Sequence, residues 1–173
     1  MKRNIVRVVL TVILIFIAMS FFRILDVNHK VRQIKEGNYN QYVVERVLFS
    51  TSQYRLIEEA TVSLYKTQNV DCNVLESFSQ RLLELNSKSG QARFFRTICK
   101  EKAGDLVGAL SEMSEALKYD RYNTNYLLSL AILQLNLNNL EGCKTTLELL
   151  EKINPNTENL DMVQDLLKSK IKQ

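Results

Sequence analysis

Three stretches of this chain repeat one another. Leu106, Ala109, Met113, Ala116, Tyr119 and Asp120 have counterparts thirty-four residues later in Leu140, Cys143, Leu147, Leu150, Ile153 and Asn154. The same step backwards meets Cys72, Leu75, Ser79, Leu82, Leu85 and Asn86, and Gly108 coincides with Gly142. Within each copy the small and aliphatic residues fall three, four and seven apart, which sets them on one face of a helix. Each copy follows another helical segment: RLIEEATVSLYKTQ, GQARFFRTICKEKA or NTNYLLSLAILQLNL. The links inside the pairs read NVD, GD and NN, residues that favour turns. One such pair is too small to bury its apolar face, so repetition implies a stack in which neighbours cover one another.

Composition agrees with helix throughout. The chain has 173 residues, 46% of them hydrophobic, with five Gly and one Pro, the two residues that helix interiors exclude. The expected fold class is all-α. The formal charge of +4 lies entirely within the first thirty residues, where Lys2, Arg3, Arg7, Arg23 and Lys30 face Asp26 alone. Beyond them acids and bases are equal in number, which removes the electrostatic case for nucleic acid as a partner.

That charge flanks the apolar run VVLTVILIFIAMSFF, which extends from Ile5 to Leu25 if Arg7 and Arg23 reach to the interfaces. Such a helix is about 30 Å long, the thickness of a bilayer core. Residues 1–4 are therefore expected to be a tail and residues 5–25 a membrane anchor, with Val8, Ile13, Phe16 and Phe22 in contact with lipid. Lys2, Arg3 and Arg7 ahead of the span place the N-terminus in the cytoplasm, although Arg23 and Lys30 weaken that bias, and Asn28 onward would be exported. Ala18-Met19-Ser20 has the small-x-small form of a signal-peptidase site. A cleaved signal and a buried soluble helix thus stay open beside the retained anchor.

Residues 26–52 read as membrane-proximal helices. Ile24, Val27, Val31 and Ile34 form a heptad-like stripe that ends at Gly37. The stripe suits either packing on the following residues or pairing with a second anchored helix, including another copy of the chain. After the Gly37-Asn38 hinge, Tyr42, Val43, Val44, Val47 and Leu48 make a further helical face.

The period of thirty-four, with helix, turn and helix in each unit, resembles the tetratricopeptide repeat. The resemblance covers residues 53–157 in about three units, the first degenerate, with residues 158–173 as a terminal capping helix. Its strongest parts are KEKAGDLVGALSEMSEALKYDRYN, with Ala109 and Ala116 as small packing residues, and LEGCKTTLELLEKINPN, closed by Pro155. Strict counting puts Arg93, Arg96 and Lys100 at packing positions, while Ala92, Phe95 and Cys99 lie one residue away, so that helix is expected to be displaced by one residue. The resemblance implies a curved array whose first helices line a groove, here by Phe94, Ile98, Leu128, Ile132 and Leu135, for an apolar helix or peptide. The alternative is that these side chains only pack beneath flanking helices.

Chemistry is sparse. His29 is the sole histidine, so no triad based on histidine can be built within the repeats. No phosphate-cradling or nucleophile-elbow motif occurs, and no cofactor or metal is expected. Glu58-Glu59 and Glu112-Glu115 read as solvated faces, and Cys143 as a small packing residue. With these motifs missing, the chain is expected not to be an enzyme. It is expected to be a single-pass scaffold of a bacterial inner membrane, with a periplasmic array that docks a protein partner, another membrane or envelope protein, in an assembly or export machine. A purely structural subunit of a large membrane-associated assembly is the alternative.

Overall fold

The computed structural model describes residues 2–67 and 71–172, with side chains from residue 9 onward. The side chains of Lys2, Arg3, Arg7 and Val8 and the turn residues Asn69 and Val70 lie outside the described set. Among the described residues there are nine helices and no strand: α1 (Lys2–Lys35), α2 (Gln41–Ser50), α3 (Tyr54–Tyr65), α4 (Cys72–Leu85), α5 (Gly90–Lys102), α6 (Leu106–Tyr119), α7 (Thr124–Asn136), α8 (Leu140–Ile153) and α9 (Leu160–Ile171). They form two compact units, divided between Val74 and Leu75.

In the first unit α1 packs against α2 and α3. The long helix stops at Gly37, whose φ of +72° a residue with a side chain rarely adopts. Asn40 then caps α2 by accepting from the Val43 amide. Val27, Val31 and Ile34 are buried, as are Val43, Val44, Val47 and Leu48 on α2. Of the two readings of the stripe, packing within the chain accounts for three of its four residues, which the protein's own helices cover, while Ile24 stays exposed. The segment from Val9 is long and apolar enough to cross a membrane, and Ile13, Phe16 and Phe22 on it are all exposed.

In the second unit α5 pairs with α6 and α7 with α8, while α9 lies on α7 and α8. The two hairpins share their turn chemistry. Gly104 and Asn138 take left-handed backbone at φ of +80° and +58°, and the next residue caps the second helix. Asp105 accepts from the Gly108 amide at 2.8 Å and Asn139 from the Gly142 amide at 3.0 Å. A Cβ on Gly108 would fall 2.1 Å from an Asp105 carboxylate oxygen, and one on Gly142 2.6 Å from the Asn139 amide nitrogen. The coincident glycines thus make room for the caps. Ala109, Met113 and Ala116 on α6, and Cys143, Leu147 and Leu150 on α8, are the buried stripes. Burial pushes the Cys143 thiol above its ordinary range, as suits a packing residue.

Candidate functional site

The first helices of the hairpins, α5 and α7, carry the five residues that the resemblance assigns to a groove. Leu135 is buried in a core cluster with Cys143, Leu150, Leu160 and Val163, and its carbonyl accepts from Lys170 on α9 at 2.9 Å. Leu128 and Ile132 are half-buried against the same cluster. Phe94 is half-buried and stacked on Tyr126, with ring centroids 5.3 Å apart, and Ile98 is also half-buried. Leu135 is thus core, and the other four are partly covered by their neighbours.

The α5 helix buries Ala92, Phe95 and Cys99, one residue away from the strict repeat register. Arg93 and Arg96 consequently turn to the flank, where both meet Glu112 of α6, at 3.2 and 3.1 Å. The Glu112 side chain is only 12% exposed, so its reading as part of a solvated face is corrected. The reason is tertiary: the arginines that reach it belong to the preceding helix, and a periodicity count on α6 alone does not see them.

A more open surface lies between the second helices, α6 and α8, in a cleft of about 720 Å³. Its floor is aliphatic, from Leu117, Leu127, Leu130 and Leu149. Leu149 stands apart from the buried stripe of α8 and is 36% exposed. At the rim Lys118, Arg121 and Lys152 face one acid, Glu148. Lys118 pairs with Glu115, and the Arg121 guanidinium sits 5.8 Å from the Tyr122 ring centroid. The chain beyond residue 30 is neutral in sum, yet this cleft carries a local excess of base. The sequence signal for it was a leucine outside the buried stripe; the juxtaposition of α6 and α8 was not visible. Among the described residues no group of three or more His, Cys, Asp or Glu side chains is placed to hold a metal ion.

Stacked helical hairpins with repeated turns, small residues at the pair seam and a terminal helix define an α-solenoid, a class whose fold serves as a scaffold for protein binding. The profile of the tetratricopeptide repeat family matches residues 101–167. In fold the chain is similar to YrrB, described as a TPR protein with an unusual peptide-binding site, at a TM-score of 0.61 and 19% identity over 78% of this chain and 68% of that one. No curated protein matches the chain in sequence.

Proposed function

We propose that this protein is a membrane-anchored scaffold, without catalytic activity, whose repeat array docks a protein partner in the cleft between α6 and α8. The observation that carries the reading is an aliphatic floor under a rim of three bases and one acid, on a repeat array. The matching occupant is an amphipathic helix or peptide with an aliphatic face and flanking acidic residues. The peptide-binding site named for YrrB, a protein of similar fold, supports a peptide ligand. The exposed apolar length of α1 supports an anchor, and Lys2, Arg3 and Arg7 ahead of it support a cytoplasmic N-terminus. The array then lies across the membrane, in the periplasm if the membrane is a bacterial inner one, and its partner is another component of an envelope assembly or export machine.

A designed helical peptide with leucines on one face and glutamates beside them tests the dock, measured by fluorescence anisotropy on the full chain in detergent. It should bind, weaken as salt rises, and lose affinity on Leu149→Asp or on joint reversal of Lys118 and Lys152 to Glu. A lysine-flanked version of the peptide should not bind. Equal binding of both peptides, or loss on Ile132→Asp with full retention on Leu149→Asp, would move the dock away from the cleft.

A further inference from the structure

Three contacts fix how α1 and α2 lie side by side. Arg23 donates through Nε to the Ser50 carbonyl at 2.9 Å, Asp26 pairs with Arg46 at 3.0 Å, and Lys30 sits 5.4 Å from the centre of the Tyr42 ring. As residue numbers rise on α1 they fall on α2, so the helices are antiparallel and the C-terminal turn of α2 is level with Arg23. Arg23 is where the exposed apolar length of α1 ends, among Phe21, Phe22 and Leu25. Beside it projects Phe49, 78% exposed and off the stripe by which α2 packs on α1. Ser50, Thr51, Ser52 and Gln53, all polar, follow directly.

An isolated exposed phenylalanine needs no explanation. This one shares a level with the end of a candidate membrane span, where aromatic side chains concentrate because a ring suits the boundary between acyl chains and headgroups. We infer that the turn from Phe49 to Gln53 is a second membrane contact, in which Phe49 enters the lipid interface and the following polar residues face the headgroups. The inference rests on α1 being a membrane anchor, and its ligand is the bilayer surface rather than a protein. It gives the first unit two points of attachment. With Arg23 joining the two helices at that level, the contact limits the angles at which α1 crosses the bilayer. Tyr42, seven residues back along α2, stands about 10 Å farther from the bilayer by helical rise.

The chain contains no tryptophan, so single substitutions supply an unambiguous fluorophore. Leu14→Trp, Phe49→Trp and Tyr42→Trp would be placed one at a time in the full chain and reconstituted into phosphatidylcholine vesicles. Some vesicles carry lipid brominated near the headgroup and others lipid brominated near the chain end. Leu14→Trp should be quenched by the deep label. Phe49→Trp should emit to the blue of Tyr42→Trp and be quenched by the shallow label, whereas Tyr42→Trp should be quenched by aqueous iodide instead. If Leu14→Trp is quenched and Phe49→Trp behaves like Tyr42→Trp, the anchor stands and the second contact is overturned. A blue-shifted Phe49→Trp that neither lipid quenches means that protein, such as a second copy of the chain, covers the ring, and this also overturns the inference. An unquenched Leu14→Trp removes the anchor and the contact together. Far-UV circular dichroism identical to the parent confirms that each aromatic replacement leaves α2 folded.

Discussion

Glu112 holds two arginines at once, and each of those side chains is itself mostly covered, 21% exposed for Arg93 and 25% for Arg96. Breaking a fully buried ion pair from one side costs about 3–5 kcal/mol, because the remaining charge loses its partner without regaining water. Here the arginines keep some solvent, so Glu112→Ala should cost about 2–3 kcal/mol. Glu115, one turn on, pairs with the exposed Lys118, and Glu115→Ala should cost no more than about 0.5 kcal/mol. Urea unfolding followed by circular dichroism separates the two; equal small losses would mean that the Glu112 cluster contributes nothing. At this scale the sequence was partly legible. The displacement of α5 could be read from Ala92, Phe95 and Cys99 standing one place away from the repeat register. Where the displaced arginines would point could not, since that depends on how α5 leans on α6.

Each second helix of the matched hairpins begins with the same device: a left-handed residue, a capping side chain, and a glycine three residues after the cap. Its presence at Gly104-Asp105 and again at Asn138-Asn139 explains why the turns stood out in the sequence as GD and NN. The two caps differ in one respect, because only Asp105 titrates. The Gly108 amide and then the Lys100 ammonium, at 3.0 Å, hold its carboxyl below the usual aspartate range. A lowered folded pKa means that the cap's ionic contribution is complete above the unfolded value of about 3.9 and disappears as pH falls through the folded one. Asp105→Asn keeps an acceptor for the Gly108 amide, as Asn139 does for Gly142, but gives up the charge. The variant should therefore melt below the parent at pH 6, and the gap should close as the pH drops below about 3.9. Thermal melts across that range provide the check, and a gap independent of pH would show that the carboxylate charge plays no part in the cap.

On the scale of the whole molecule, helical periodicity made the all-α class and the solenoid legible, because every repeated helix shows one buried stripe. The cleft between α6 and α8 was not legible, since its floor comes from three helices and its excess of base is hidden in the neutral sum of the chain beyond residue 30. Which of the two readings holds for Leu135 was hidden for a related reason: what covers it is α9, which lies outside the repeat period. An array of stacked hairpins is open-ended, and its last apolar face needs a cover that does not itself invite another hairpin. Helix α9 provides it with Leu160, Val163 and Leu167, buried in one cluster with side chains of α7 and α8. Its outer side carries the Asp165–Lys168 pair but also Met162 and Leu166, both exposed, so it is less polar than a terminal helix is expected to be. Two adjacent leucines therefore have opposite roles. Leu167→Ala opens a void beneath α9 and should cost about 2–5 kcal/mol, toward the lower end because the site is close to the surface and can collapse. Leu166→Ala, at a side chain 49% exposed, should stay within about 0.5 kcal/mol. Urea midpoints for the full chain in detergent would measure both. A Leu167 variant no weaker than the Leu166 variant would mean that α9 is not seated on the array, and the face that includes Leu128, Ile132 and Leu135 would then be free to take a partner.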